Sequence, residues 1–156
     1  MLELSSLDLE DIATALADQT DYEHRWLINP ETGGTVFWTC DTGIDGQPPV
    51  DLDELDLLHI EPLPSSLWYQ DMADFAAHLS NEHAARRLTR ALQGKGAFRR
   101  FKAELHEEFP HLLPAWYAVR DARSHGRAVQ WLADNSLIAE VAAARFLDEH
   151  PEPSLP

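Results

Sequence analysis

The apolar pattern changes character at Ser65, and that change restricts the chain to a mixed fold. From Ser65 onward apolar side chains recur every three or four residues. Leu67, Met72, Phe75, Ala76 and Leu79 form one set, and Ala85, Leu88, Ala91 and Leu92 the next. That spacing buries one stripe of a helix. Before Ser65 the dominant signals are short β-forming runs. His24-Arg25-Trp26-Leu27-Ile28 and Thr35-Val36-Phe37-Trp38-Thr39-Cys40 read as two strands. Asn29-Pro30-Glu31-Thr32-Gly33-Gly34 between them is turn chemistry, so the pair predicts a hairpin. Leu57-Leu58-His59-Ile60 predicts a third strand, ended by Pro62 and Pro64, and residues 41–56, rich in Asp, Gly and Pro, read as a loop. The fold class expected is α+β: a small antiparallel β-hairpin or three-stranded sheet packed with a predominantly helical C-terminal two-thirds.

The remaining elements follow from the same rules. Leu9, Ile12, Ala13 and Leu16 share a face and predict a helix over 7–18, capped by Ser5 or Ser6, with Asp8, Glu10 and Asp11 near its positive end. Ser65 or Ser66 caps the next helix. Further helices are expected over 82–93, ending at Gly94; over 97–108, stopped by Pro110; over 114–133, with a disturbance at Gly126; and over 137–147. At 156 residues the chain has the usual length of one domain. Residues 1–150 are expected to form a single α+β domain, with an acidic helix–hairpin part over 1–64 and a helical part over 65–147. Residues 148–156, with prolines at 151, 153 and 156, are expected to be a flexible tail.

Charge is distributed unevenly along this chain. Residues 1–74 carry 17 acids and one base, Arg25, whereas residues 75–156 carry 10 acids and 11 bases. The halves therefore have net charges of −16 and +1, which make up the formal −15. A long-range field of that sign opposes phosphate backbones, so nucleic acid is disfavoured as a partner except through a local basic patch. No apolar run approaches the ~20 residues of a membrane span. The N-terminal sequence has no basic region followed by an apolar core, so secretion is not expected. Cys40 is the single cysteine, which excludes an internal disulfide and fits a reducing, cytoplasmic setting.

One segment runs against the acidic composition. Gly94-Lys95-Gly96-Ala97-Phe98-Arg99-Arg100-Phe101-Lys102 has four cations and two aromatic rings in nine residues. Placed at a helix start, it combines backbone N–H groups with nearby cations, the usual means of holding an anion. In a helix over 97–108, Phe98, Phe101 and Leu105 face inward while Lys95, Arg99, Lys102 and His106 stay wet. The preceding helix adds Arg86 and Arg90. The candidate anion- or partner-binding set is thus Arg86, Arg90, Lys95, Gly96, Arg99, Arg100 and Lys102. A simpler reading stands beside it: Arg100 pairs with Glu104 at i, i+4, and the other cations serve the acidic half of the chain. The segment lacks the first glycine and the Ser/Thr of a phosphate-binding P-loop, and the third glycine and preceding strand of a dinucleotide fingerprint.

Leu7-Asp8-Leu9-Glu10-Asp11-Ile12-Ala13, Asn29-Pro30-Glu31-Thr32-Gly33, Met72-Ala73-Asp74-Phe75 and above all Ala91-Leu92-Gln93-Gly94-Lys95-Gly96-Ala97-Phe98-Arg99-Arg100-Phe101-Lys102 resemble the bacterial uncharacterised protein family 0158. The likeness continues through Trp116-Tyr117 and Gln130-Trp131-Leu132 to about residue 135, with 136–156 read as an extension. The resemblance implies a bacterial, intracellular protein and brings no activity, cofactor or catalytic residue.

Other motifs dissolve on inspection. Asp41-Thr42-Gly43 follows a strand as in aspartic proteases, but that fold is nearly all β. The calcium-loop likeness of residues 41–52 fails at its third and twelfth positions, Gly43 and Leu52, and Asp51, Asp53, Glu54 and Asp56 read as solvated loop acids. His106 and His111 are five apart with Pro110 between them, and His78 and His83 are also five apart, so neither pair makes a zinc-helix motif. The five tryptophans read as core. The expected function is a non-enzymatic interaction or regulatory module whose partner is a protein or anionic ligand. The alternative is a nucleic-acid or nucleotide/phosphate binder using the same patch. No metal, cofactor, catalytic residue or membrane partner is expected, and nothing in the sequence sets an oligomeric state.

Overall fold

The computed structural model describes residues 1–18, 24–39, 43–44 and 57–156. It divides into two compact units. The first comprises Met1–Leu63 and His125–Glu149, and the second Pro64–Ser124 and His150–Pro156.

The first unit is built on a sheet of four strands in the order β3-β2-β1-β4, all neighbours antiparallel. The expected hairpin is β1 (His24–Ile28) against β2 (Thr35–Thr39), in the register Trp26 to Phe37 and Ile28 to Thr35. Asn29 organises its turn. The side-chain oxygen accepts from the N–H groups of Glu31 and Thr32 at 2.9 and 3.3 Å, and the backbone N–H of Gly33 donates to the Asn29 carbonyl. Gly33 has φ +79°, where a side chain is strained, and a Cβ there would also displace the end of the Leu7 side chain. The expected third strand is β4 (Leu58–His59), extended by the Ile60 N–H donating to the Trp26 carbonyl at 2.9 Å. The expected loop over 41–56 is interrupted at its start: Gly43–Ile44 form β3 on the outer edge of β2.

Trp26, Ile28 and Leu58 share the sheet face that meets α1 (Leu9–Ala17), the second half of α5 (Leu113–Asp134) and α6 (Glu140–Glu149). Ile12, Leu16, Ile60, Val129, Leu132 and Ile138 complete this core. Asp8 caps α1 by accepting the Asp11 N–H at 3.1 Å. The expected caps Ser5 and Ser6 lie instead in a preceding 3-10 turn, where the Ser6 hydroxyl donates to the Glu3 carbonyl. Helix α5 runs unbroken through Gly126, where the expected disturbance is absent, and a Cβ there would make ordinary van der Waals contact with Leu147 at 3.4 Å. Helix α5 closes with Ser136 at φ 61° and the Leu137 N–H donating to the Leu132 carbonyl. Leu137 and Ile138 are thereby committed to the core, and α6 starts at Glu140, not 137.

The second unit packs α2 (Ser66–Ala77), α3 (Glu82–Ala91), α4 (Ala97–Glu107) and the first half of α5. Phe75, Phe101 and Trp116 form an edge-to-face triad with centroids 5.1 to 6.3 Å apart. Leu88, Leu105 and Met72 fill around it. Ser65 makes no side-chain cap on α2, whereas Asn81 caps α3 through the N–H groups of His83 and Ala84. Of residues 148–156, read from the sequence as a flexible tail, 148–149 end α6 and 150–156 are engaged in this unit. Leu155 packs on its core and the Ser80 N–H donates to the Pro156 carbonyl at 3.1 Å.

Candidate functional site

The turn joining α3 to α4 depends on two glycines in the left-handed region, Gly94 at φ +77° and Gly96 at φ +78°. These bends leave the carbonyls of the α3 C-terminus without helical partners. Arg100, one turn into α4, reaches back to satisfy them. Its Nε donates to the Ala91 carbonyl at 2.9 Å, and its two terminal nitrogens donate to the carbonyls of Lys95 and Gln93. The Tyr69 hydroxyl takes the Leu92 carbonyl at 3.1 Å. A Cβ on Gly96 would press to 3.2 Å from the Arg100 guanidinium, so hinge and arginine form one device.

One expectation is corrected: Arg100 does not pair with Glu104, because its guanidinium bonds the hinge carbonyls. Glu104 instead takes Arg87 in a fork of 2.9 and 3.0 Å, which raises the Arg87 pKa above its ordinary value. Phe101 is fully buried, but Phe98, expected beside it in the core, is 39% exposed. The turn of the helix explains the difference: Ala97, Phe101 and Leu105 form the buried stripe at i, i+4, i+8, and Phe98 falls at its edge.

The other candidates separate by face. Arg90 and Arg100 line a groove of about 410 Å³ between α3 and α4, shared with Arg87, Glu104 and Glu107. Arg99, Lys102 and His106 succeed one another along the exposed side of α4, beside Phe98. Lys95 is exposed in the hinge and Arg86 on α3, one turn before Arg90. Among the described residues the side chains of Arg86, Arg90, Lys95, Arg99 and Lys102 make no hydrogen bond or ion pair. No side chain caps the first turn of α4.

A second charged cluster was not anticipated from the sequence. Asp71, only 1% exposed, accepts from Arg123 at 3.1 Å; Asp74 accepts from the same nitrogen at 2.8 Å; and Glu152 takes Nε at 2.7 Å. Burial works against the Arg123 charge, yet the hydrogen bonds to Glu152, Asp74 and Asp71 hold its pKa above the ordinary guanidinium value. The Arg123 hydrogen bond in turn keeps the Asp74 carboxyl below its ordinary range, against the opposing effect of burial. That is the reverse of what a carboxylic general acid needs. The available signal was periodicity: Leu67, Asp71 and Phe75 are spaced i, i+4, i+8, which puts an acid on the inward stripe of α2.

Among the described residues no group of His, Cys, Asp and Glu is placed to hold a metal, and no helix is long and apolar enough to cross a membrane. The histidines are dispersed: His78 bonds the Asp74 carbonyl, and His83 stacks edge-on against Phe109. The protease-like Asp41-Thr42 and the residues of the calcium-loop likeness at 41–42 and 45–52, with Cys40, Asp53, Glu54 and Asp56, lie outside the described residues. Trp116 and Trp38 are buried as expected, while Trp26 is half-buried with its indole N–H on Asp18 at 2.9 Å.

Comparison with known proteins places these features in a family. The model of an uncharacterised protein family, UPF0158, matches residues 7–151. A UPF0158 protein of Pseudomonas aeruginosa is 30% identical over 138 residues, which cover 85% of this chain and 84% of the relative. The match extends past residue 135, so most of the segment read as an extension lies within the family pattern. No solved structure matches the chain.

Proposed function

The chain belongs to the uncharacterised protein family UPF0158, and from that premise we propose a function from geometry alone: a non-enzymatic, cytoplasmic interaction module that holds an anionic partner at the α3–α4 hinge. The observation that carries this reading is a division of labour among neighbouring cations. Arg100 takes the Ala91, Gln93 and Lys95 carbonyls, so these hinge carbonyls are satisfied without the side chains of Lys95 or Arg99. Those two, with Lys102, Arg86 and Arg90, are left exposed and without partners among the described residues. Exposed, unpaired cations give up no internal contact when they meet an anion, and what they lose is side-chain freedom, about 0.5–1.5 kcal/mol for each one immobilised. Phe98 adds an exposed ring beside Arg99.

An acidic protein segment is the preferred partner class. The formal charge of −15 repels a polyanion at long range, whereas a short acidic segment meets mainly the local patch. The test is salt dependence. Lys95→Ala with Arg99→Ala is expected to abolish capture of a short acidic peptide, for which a tetraglutamate peptide serves as probe, while the circular dichroism spectrum stays unchanged. Tight binding of single-stranded oligonucleotide instead, with a steep salt slope flattened by the same pair of substitutions, favours the nucleic-acid reading, which the Phe98 ring beside the cations supports. Binding of neither probe removes the proposal.

A further inference from the structure

The groove between α3 and α4 carries charges of both signs, and most of them are already matched within the chain. Two contacts fix how its walls face each other. At the hinge end the Arg100 Nε donates to the Ala91 carbonyl at 2.9 Å, and one turn further from the hinge Arg87 forks onto Glu104 at 2.9 and 3.0 Å. The rest of the lining is Arg90, Glu107 and two alanines. Arg90 belongs to the hinge end, next to Ala91, and Glu107 lies beyond Glu104 at the other end, in the last turn of α4. Both are exposed, and neither makes a hydrogen bond or ion pair among the described residues.

Distance explains why these two do not pair with each other. The stretch of α4 from Arg100 to Glu107 spans about 10 Å at the helical rise per residue. Across that length water and salt screen the two charges from one another. The Arg87–Glu104 pair stands between them and is neutral in sum. The groove is therefore positive at its hinge end and negative at its far end, and alanine side chains leave charge as its main means of discrimination.

On the premise that the hinge holds an acidic protein segment, we propose that the α3–α4 groove selects a segment of mixed sign: a glutamate or aspartate for Arg90 and, three residues along an extended chain, a lysine or arginine for Glu107. Three residues of extended chain, at about 3.3 Å each, cover the length of the groove. A wholly acidic segment suits the hinge end but sets a carboxylate against Glu107 at the other. A phosphate backbone meets the same repulsion and has no cation to offer. A segment with an acid and a base at this spacing answers both ends at once, so the groove discriminates among anionic partners by what it repels as well as by what it attracts.

The test uses the full chain, isotope-labelled for NMR titration, and two peptides with acetylated and amidated ends. One is Glu-Glu-Ala-Ala-Lys, and the other has glutamine in place of the lysine. The unsubstituted protein is expected to bind the lysine peptide about threefold more tightly, the scale of one exposed ion pair, although that peptide is the less acidic. Glu107→Gln is expected to erase the preference, and Arg90→Gln to weaken both peptides about threefold. Equal affinity for the two peptides, a preference that survives Glu107→Gln, or binding of neither peptide overturns the proposal. Tetraglutamate capture measured alongside shows whether the hinge reading falls with it: capture with no preference removes the selection alone, and loss of capture removes both.

Discussion

Arg123→Met offers the sharpest test of how the second unit is held together. Methionine keeps the length and apolar stem of arginine and removes the guanidinium. Asp71 then remains 1% exposed with its main cation gone, and Asp74 loses the hydrogen bond that depresses its pKa. Breaking a buried pair by deleting one partner costs about 3–5 kcal/mol. Two features put this case at the low end. Arg123 is itself 22% exposed, and Asp71 keeps a further interaction elsewhere. A loss of about 3 kcal/mol at pH 7 is expected, roughly 6–12 °C in Tm for a chain of this size. The pH dependence has a definite sign. A carboxyl with a depressed folded pKa contributes stability that is present above its unfolded value, 3.8 for aspartate, and is lost as pH falls through the folded value. The gap between the two proteins is therefore widest at neutral pH and narrows below pH 3.8. Urea denaturation followed by circular dichroism at pH 7 and pH 3 measures both quantities. Adding Asp71→Asn to Arg123→Met is expected to recover about half the loss, because the buried carboxyl that lost its guanidinium partner is then gone. A single substitution within about 0.5 kcal/mol of the unsubstituted protein at pH 7 refutes the view that Asp71 depends on Arg123.

Arg100 and Arg99 are neighbours with opposite expected phenotypes. Arg100→Ala removes three charge-assisted hydrogen bonds to helix-end carbonyls and is expected to cost about 2 kcal/mol in denaturant titrations, whereas Arg99→Ala is expected to stay within about 0.5 kcal/mol. Gly96→Ala forces a side chain into the left-handed region and against Arg100, for an expected loss of about 1–2 kcal/mol; Gly126→Ala, inside an ordinary helix, is expected to be neutral or to gain up to about 1 kcal/mol. Burial, and secondarily Arg25, lowers the His59 pKa below 6.5, so NMR titration is expected to find it neutral until below that pH. Its contribution to stability is complete above 6.5 and declines as pH falls toward the folded value. His59→Phe, which places no ionisable group there, is expected to flatten that decline.

What could be read from the sequence was whatever short-range rules determine. The hairpin from His24 to Thr39 follows from β-formers either side of an Asn-to-Gly turn, and the helices after Ser65 follow from three-to-four spacing. Boundaries were missed where a tertiary contact outbid the local signal. Leu137 looked helical by spacing, yet its N–H closes the preceding helix and its side chain fills the core. Ser5 and Ser6 have the chemistry of caps, but Asp8 stands one residue before the first helical turn, and a cap works only from there.

The candidate site was legible as composition and illegible as geometry. Seven residues in one basic stretch read as one patch because a sequence records sign but not direction. Only the left-handed glycines aim Arg100 back at the α3 carbonyls, and this converts the most central cation of the patch into part of its scaffold. The Arg123 cluster shows the opposite case. Its members are 49 residues or more apart for the Asp74 and Asp71 pairs and 29 apart for Glu152, so no window contains them. Yet an aspartate on the buried stripe of α2 requires a cation or a proton wherever the chain folds to supply one. Asp71 thus announced a partner that spacing alone could not locate, and Arg123 is that partner. Arg99 and Lys102 show why the same reasoning stops at the surface: cations on an exposed helix face cost nothing to leave unpaired in water, so their presence in the sequence announces no partner in the way that a buried aspartate does.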